Sequence, residues 1–208
     1  MRRVFAISLL TAAVLSSCGG KETAVYDIVI RGGTVVDGTG ASGFAADVAV
    51  RGGMITVVGD VSGGRGMKEI DAAGQIVAPG FIDIHTHADG AILDDRSAHN
   101  FVRQGVTTVV GGNCGGSPVD LGTFFGELID GGAALNIAVL IGHNSVRRTV
   151  MGNEGRGPTP DELERMKILV AGAMEAGAVG LSTGLKYRPG MYADTDEVVA
   201  LARVAAEY

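Results

Sequence analysis

The stretch that decides the fold runs from residue 78 to residue 87 and reads Ala78-Pro79-Gly80-Phe81-Ile82-Asp83-Ile84-His85-Thr86-His87. A Pro-Gly turn opens a short apolar strand, and two histidines separated by one residue end it. Side chains at positions i and i+2 of a strand point to the same face. Both imidazoles can therefore reach one metal ion, for which neutral imidazole is a good ligand, although two exposed loop histidines would show the same spacing. The stretch predicts a strand with a metal site at its carboxyl end.

Downstream of this stretch, apolar strands alternate with helices, which is typical of a parallel α/β fold. Four strand–helix units predict the first half of a (β/α)8 barrel, because a whole barrel takes roughly 250 residues. A small open doubly wound sheet is the competing fold, but the two histidines stand where its Gly-rich phosphate turn would be. We predict strands near 80–86, 106–110, 137–141 and 178–183, helices near 93–104, 121–130, 159–177 and 195–208, and a Gly-rich loop at 142–157.

Two of these helices carry capping signals. Thr159 and Glu162 form a capping box around Pro160, and Gly177 is a natural stop for the helix that follows. Asp194 or Thr195 caps the last helix, which the pattern predicts to be still running at residue 208. The last predicted element thus has no stop signal, as expected for an N-terminal fragment of a longer protein.

Residues 25–77 predict a small antiparallel β unit. Residues 25–37 and 46–58 each read as two strands around a turn, with Gly32-Gly33 in the first turn and Gly52-Gly53 in the second. Residues 69–77 add another strand. We predict that 25–77 is the N-terminal part of a β-sandwich domain and that 78–208 is the barrel domain.

The first 24 residues predict an export signal and a polar tether. Arg2 and Arg3 precede an apolar stretch that is too short to span a bilayer comfortably. Leu15-Ser16-Ser17-Cys18-Gly19 resembles the bacterial lipobox, in which a cysteine is lipidated before cleavage. We expect cleavage before Cys18 and a lipid-anchored protein of the bacterial cell envelope, at the periplasmic or outer surface. An ordinary cleaved signal with an incidental cysteine is the alternative.

The composition limits the classes of partner. The chain has 208 residues, 46% of them hydrophobic, and a net charge of -6. A chain of this kind can bury a sizeable core, so wholesale disorder is not expected. The acidic balance gives no basic surface for nucleic acid.

Three other residues have side chains that could bind a metal ion or a substrate. Cys114 lies in a Gly-Gly-Asn-Cys-Gly-Gly segment just past the second strand, where a thiolate would bind zinc strongly; a buried structural cysteine is equally compatible. His143 ends the third predicted strand and is expected to donate hydrogen bonds to substrate or scaffold rather than to bind metal. Tyr187, between Lys186 and Arg188, can hold an anionic substrate, but a solvated loop would look the same.

The quoted stretch resembles the first barrel strand of metal-dependent amidohydrolases, and so do two segments before it, Tyr26-Asp27-Ile28-Val29-Ile30-Arg31-Gly32-Gly33 and Asp37-Gly38-Thr39-Gly40. Two further segments resemble, more specifically, the N-acyl-D-amino-acid deacylases, or D-aminoacylases. They are Gln104-Gly105-Val106-Thr107-Thr108-Val109-Val110, which leads to Gly112-Asn113-Cys114-Gly115, and Gly180-Leu181-Ser182-Thr183-Gly184-Leu185-Lys186-Tyr187, which is followed by Pro189-Gly190. The resemblance runs from about residue 25 to the end.

This resemblance implies a hydrolase that cleaves the amide bond of N-acyl-D-amino acids with metal-activated water. It implies that His85, His87 and Cys114 belong to a metal centre of one or two divalent ions, which are expected to be zinc. It also implies that the cysteine stands where other amidohydrolases have a carboxylated lysine. It also implies that Tyr187 contacts the carboxylate of a small-molecule substrate. The family's further histidines and its acid–base aspartate are expected beyond Tyr208, so the fragment itself is expected to be inactive.

Two other functions stay open at this point. A cyclic-amide hydrolase of the hydantoinase or dihydroorotase type would use Lys186 as a carboxylated metal bridge and leave Cys114 a bystander. A metal- or ligand-binding lipoprotein would have the same residues without catalysis.

Overall fold

The structure, a computed structural model, describes residues 24–208. The predicted signal segment, with Cys18, lies outside the described residues. The described chain divides into two compact units, one that ends at Pro79 and one that spans Gly80–Tyr208. Within residues 24–208, no helix combines the length and the apolar composition that crossing a membrane requires.

The first unit is a five-stranded mixed sheet. Its strands are β1 (Ala24–Val35), β2 (Phe44–Arg51), β3 (Met54–Gly59), β4 (Gly64–Asp71) and β5 (Ile76–Val77). The order is β3-β2-β1-β4, and β5 pairs with the last residues of β1. Strand β2 is antiparallel to β1 and β3, whereas β4 and β5 are parallel to β1. The expectation of a wholly antiparallel unit is wrong, because β4 pairs with the free edge of β1 rather than with its sequence neighbour β3.

The two Arg-Gly-Gly segments have different structures. Gly52 and Gly53 form the turn of the predicted β2–β3 hairpin, which is confirmed. Gly32 lies instead in a bulge within the continuous strand β1, where the register shifts between Ile30 and Gly33. The side chain of Asp47 on β2 accepts a hydrogen bond from the Gly32 N–H at 2.9 Å. The predicted first turn is therefore wrong, because β2 pairs with β1 on both sides of the bulge.

The second unit contains parallel strands, as predicted. Strands β6 (Phe81–Asp83), β7 (Val106–Gly111) and β8 (Asn136–Val139) form one sheet in that order, and β9 (Ile141–Gly142) pairs with β10 (Leu181–Ser182). The predicted third strand spans both β8 and β9. It divides at Leu140, whose N–H bonds to Gly111 on β7, whereas the next N–H bonds to Gly180 ahead of β10. The chain thus changes neighbours at this residue.

Five helices belong to this unit: α1 (His99–Val102), α2 (Leu121–Gly131), α3 (His143–Met151), α4 (Pro160–Glu175) and α5 (Thr195–Ala205). Helices α2 and α4 lie where they were predicted. The capping box of α4 is confirmed, since the Glu162 N–H bonds to the Thr159 hydroxyl and the Glu162 carboxylate accepts the Thr159 N–H. The side chain of Asp194 caps α5 by accepting the Glu197 N–H at 2.8 Å.

Three predicted helix and loop boundaries are wrong. Helix α1 has four residues rather than twelve, because Asp95 binds the Ser97 N–H and Ala98 adopts a left-handed conformation, φ 42°, that interrupts any helix before it. The predicted loop at 142–157 contains α3, whose glycine-poor interior favours a helix. Helix α5 ends at Ala205 instead of continuing to residue 208.

The core of the second unit lies between its strands and helices α2, α3, α4 and α5. Each fully buried Leu, Met or Val side chain there stabilises the fold by roughly 1.5–3 kcal/mol relative to leaving it exposed. The innermost side chains are those of Val109, Leu121, Val139, Ile141, Val146, Met166, Val170 and Leu201. The edge strand β6 differs, because Phe81 and Ile82 are 62% and 65% exposed and Ile84 beyond it is 73% exposed.

Candidate metal centre

The three predicted metal ligands lie together at the carboxyl ends of two neighbouring parallel strands. His85 and His87 follow β6, and Cys114 follows β7. One ligand atom from each residue can be chosen so that all three lie within 4.8 Å of one another. The Cys114 Sγ is 3.5 Å from the His85 Nε2. Both histidines are exposed and the cysteine is half-buried, so the cluster is open to solvent on one side.

The donor set fits a zinc ion. Two imidazoles and a thiolate are ligands that zinc prefers in proteins. A zinc-bound nitrogen at about 2.0 Å and a zinc-bound sulfur at about 2.3 Å, at a tetrahedral angle, lie about 3.5 Å apart. The observed separation of 3.5 Å between Cys114 and His85 agrees with that value. Metal binding by His85, His87 and Cys114 therefore stays a prediction that the geometry of these residues favours.

The turn that carries Cys114 has an unusual backbone. Residues Asn113–Gly115 form a single 3-10 turn in which Cys114 has φ 57° and ψ 27°, a left-handed conformation that side chains with a β-carbon rarely adopt. Gly112 and Gly115 flank it with φ 74° and 78°. A β-carbon on Gly112 would lie 1.9 Å from the carbonyl oxygen of Leu140. Only glycine fits at residue 112, where the turn packs against the backbone of the next strand.

Side chains that sequence reasoning missed connect this turn to the histidine segment. The Asn113 Nδ2 donates to the carbonyl oxygens of Thr86, between the two histidines, and of Val110 on β7, at 3.2 and 2.9 Å. The Asp89 carboxylate accepts the Gly112 N–H at 2.8 Å. The Ser182 hydroxyl, on β10, contacts the turn as well. Polar side chains in Gly-rich loops give no sequence signal of such contacts, because their partners are main-chain groups of distant residues.

His143 is the first residue of α3 and does not belong to the cluster of His85, His87 and Cys114. Its side chain is fully buried, and its Nε2 is 2.8 Å from the Glu197 carboxylate on α5. The guanidinium of Arg147, also fully buried, donates to the same carboxylate. The structure thus places His143 in the scaffold, which was one of its two expected roles. A contact with substrate stays a prediction; the buried Nδ1 of His143 has no hydrogen-bond partner among the described residues.

Tyr187 lies in the turn after β10, with its side chain 55% exposed. Its ring is next to Gly184, because a β-carbon on that glycine would lie 3.1 Å from the Tyr187 Cδ2 and 2.0 Å from the Cys114 carbonyl oxygen. Lys186 and Arg188 are exposed on either side. The phenol is therefore accessible beside the Cys114 turn, and its predicted contact with a substrate carboxylate stays a prediction.

Comparisons with known proteins agree with this geometry. Residues 68–208 match the model of the amidohydrolase family. The N-acyl-D-glutamate deacylase of Alcaligenes xylosoxydans xylosoxydans is 40% identical over 202 residues, which cover 86% of this chain and 41% of the relative. A solved structure of the N-acyl-D-glutamate deacylase from Bordetella bronchiseptica, with zinc and a phosphonate inhibitor, is 38% identical with a TM-score of 0.83, and the match covers 89% of this chain and 44% of the other.

A structure from work on the binuclear metal centre of D-aminoacylase is 40% identical with a TM-score of 0.82, over 86% of this chain and 43% of the other. The chain thus spans about two fifths of the length of the relatives it matches. The predicted resemblance and the predicted fold class, part of a (β/α)8 barrel after a small β unit, are confirmed. Because the family model matches more than half of the chain, the chain belongs to the amidohydrolase family.

Proposed function

We propose that this chain supplies the first metal ligands of an enzyme that hydrolyses the amide bond of N-acyl-D-amino acids. The observation that carries the proposal is the position of the Cys114 thiol, 3.5 Å from the His85 imidazole. A thiolate beside a His-x-His pair is the donor set that the deacylase resemblance implies. The cyclic-amide alternative requires Cys114 to be a bystander, so this contact counts against it.

The residues of this chain have defined tasks in that reaction. His85, His87 and Cys114 would hold one or two zinc ions, which would supply Lewis-acid polarisation of the amide carbonyl and lower the pKa of the attacking water. The Asp83 carboxylate accepts the His85 N–H at 3.1 Å and so orients the histidine segment. The exposed phenol of Tyr187 binds the substrate carboxylate. The proton for the leaving amine comes from an aspartate that we expect beyond Tyr208.

The experiment is a hydrolysis assay on the full-length gene product with added zinc. The substrates are N-acetyl-D-glutamate, its L enantiomer and a hydantoin. We expect metal-dependent turnover of the D enantiomer alone. Cys114→Ala and His87→Ala should lower kcat/KM by about 100-fold or more, since a catalytic metal contributes several kcal/mol. His99→Ala, an exposed histidine on α1, is the matched control and should leave kcat/KM unchanged.

Three results would contradict the proposal. Turnover of the hydantoin without turnover of the acyl amino acid would favour the cyclic-amide hydrolase. Zinc binding without hydrolysis of any of the three substrates would favour a metal-binding lipoprotein without catalysis. Wild-type activity of Cys114→Ala would show that the Cys114 thiol is not a catalytic metal ligand.

For the N-terminus we propose lipidation of Cys18 and attachment to the cell envelope through that lipid alone. The support is the Leu-Ser-Ser-Cys-Gly segment after a short apolar stretch with two arginines before it. Expression of Cys18→Ser with radiolabelled fatty acid, followed by cell fractionation, tests it. The label and the membrane association should both disappear, and a variant that stays membrane-bound would refute the anchor.

A further inference from the structure

We propose that Ser182 is a positioning residue for the metal centre, which holds the Cys114 turn in the conformation that directs the thiol to the histidines. The proposal rests on the proposed function in one respect, namely that Cys114 is a metal ligand. Ser182 lies on β10 and contributes no ligand atom itself. Its role is to fix a turn that comes from a different strand.

The hydroxyl of Ser182 closes both ends of the turn. Its Oγ accepts the Gly115 N–H at 3.0 Å and donates to the carbonyl oxygen of Gly112. A serine hydroxyl has one proton to donate and lone pairs to accept, so one side chain can make both bonds at once. The two bonded residues flank Asn113 and Cys114. The hydroxyl therefore fixes the distance between the Gly112 carbonyl group and the Gly115 N–H, and with it the conformation of the two residues between them.

The turn needs such a contact because of its conformation. Cys114 is left-handed, with φ 57°, and a residue with a β-carbon keeps that conformation only when its surroundings over-determine it. The Asp89 carboxylate holds the Gly112 N–H, and the Asn113 amide holds the turn to the segment between the histidines. Those two contacts act on the residues before Cys114. Ser182 is bonded to the residue after it, so it restrains the other side of the cysteine.

The backbone beyond Ser182 packs against the same turn. A β-carbon on Gly184 would lie 2.0 Å from the Cys114 carbonyl oxygen, and a β-carbon on Gly115 would lie 2.8 Å from the Gly184 nitrogen. Gly184, two residues after β10, thus packs directly against Cys114 and Gly115. Loss of the Ser182 hydroxyl would leave this packing in place and remove only the two directional bonds. We therefore expect an altered thiol position rather than an unfolded protein.

Ser117 provides a matched control. Its hydroxyl also bridges two backbone groups, since it accepts the Gly142 N–H at 2.8 Å and donates to the Pro118 carbonyl oxygen at 2.7 Å. It lies in the same loop as Cys114 and is half-buried, like Ser182. It does not bond to residues 112–115. Ser117→Ala therefore loses a comparable pair of bonds without loosening the turn.

The experiment measures cobalt binding by the full-length gene product. Cobalt(II) at a site with a cysteine ligand gives a thiolate-to-metal charge-transfer absorption, and competition with a chelator gives the affinity. We expect the band in the wild type and its absence in Cys114→Ser. Ser182→Ala should bind cobalt 10- to 100-fold more weakly, as for other residues that orient metal ligands, with a weaker band. Ser117→Ala should match the wild type in cobalt affinity and in band intensity. Urea unfolding of the metal-free proteins should show a similar loss of stability in Ser117→Ala and Ser182→Ala.

The outcomes separate the two proposals. Wild-type affinity and band intensity in Ser182→Ala, with a normal wild-type spectrum, would overturn the positioning role and leave the metal centre intact. Equal weakening by Ser117→Ala and Ser182→Ala would overturn it too, because the effect would then follow from general destabilisation. Absence of the band from the wild type itself would overturn the metal role of Cys114 and with it this proposal.

Discussion

Replacing Glu197 by alanine removes the shared partner of two fully buried side chains. Its carboxylate, itself 1% exposed, accepts one hydrogen bond from the Arg147 guanidinium and lies 2.8 Å from the His143 Nε2. His143 and Arg147 belong to α3 and Glu197 to α5, so the interaction joins the helices that follow β9 and β10. We expect Glu197→Ala to destabilise the second unit, because it leaves the buried Arg147 guanidinium without its carboxylate partner.

The magnitude follows from the burial of the charge. Removing one partner of a buried ion pair costs about 3–5 kcal/mol, because the other charge stays in the interior without compensation. One bond of Arg147 survives, from its Nη2 to the Arg156 carbonyl oxygen at 2.6 Å. We therefore expect Glu197→Ala to lower the free energy of unfolding by about 3–4 kcal/mol, a large part of a total stability of about 5–15 kcal/mol. This loss lowers the folding equilibrium constant by about 100- to 1000-fold.

The assay is urea unfolding of the full-length gene product, together with amide hydrogen exchange in α3 and α5. Asp196→Asn, at an exposed position of the same helix turn, is the control and should cost less than about 1 kcal/mol. The double variant Arg147→Met with Glu197→Gln buries no unpaired charge and should lose less stability than Glu197→Ala. A loss below about 1 kcal/mol in Glu197→Ala, or a double variant less stable than Glu197→Ala, would show that no buried charge is left unpaired.

Three further predictions concern pH, packing and the isolated chain. Hydrogen bonds from Arg156 lower the pKa of the Glu162 carboxyl from 4.5 to about 2, so the carboxylate stabilises the fold fully above pH 4.5 and loses this effect as the pH falls through 2. Between pH 4.5 and pH 2 the urea midpoint should therefore fall less in Glu162→Gln than in the wild type, whereas Glu164→Gln should behave as the wild type does. Gly112→Ala should unfold at lower urea and bind cobalt more weakly, since a β-carbon there meets a backbone oxygen at 1.9 Å; an unchanged midpoint would contradict this. The 208-residue chain expressed alone should aggregate and lack deacylase activity, because three large apolar residues in and after β6 are more than 60% exposed; a monodisperse, active chain on size-exclusion chromatography would contradict this.

The elements with strong local signals could be predicted from the sequence. Helix α4 begins where Thr159 and Glu162 predict it, because a capping box depends only on residues three apart. The convergence of His85 and His87 with Cys114 follows from parallel strands whose carboxyl ends lie at the same edge. These features depend on neighbours along the chain or on the fold class alone.

The two Arg-Gly-Gly segments show why other features could not be predicted. Gly52-Gly53 is a hairpin turn, whereas Gly32-Gly33 lies at a bulge in a continuous strand. The three residues are the same in both segments, so the local sequence carries no difference. The outcome depends on the length of β2, which pairs with β1 on both sides of the bulge, and on Asp47, which binds the Gly32 N–H.

The buried charges escaped prediction for a similar reason. Glu197 follows Asp194, Thr195 and Asp196, a sequence typical of an exposed, charged first turn of a helix. Its burial depends on Arg147, 50 residues earlier in the chain. The hydrogen bonds of Ser182 to the Cys114 turn also join residues about 70 apart. Long-range pairing of polar groups is the part of the candidate site that periodicity and spacing do not reveal.

X-ray absorption at the zinc edge of the zinc-loaded full-length gene product tests the metal centre most directly. We expect one sulfur ligand at about 2.3 Å together with imidazole nitrogens at about 2.0–2.1 Å. We also expect that Cys114→Ser removes the sulfur and that His85→Ala reduces the imidazole signal. A zinc shell of nitrogen and oxygen alone in the wild type, or a sulfur ligand that persists in Cys114→Ser, would contradict the assignment of His85, His87 and Cys114 to one centre.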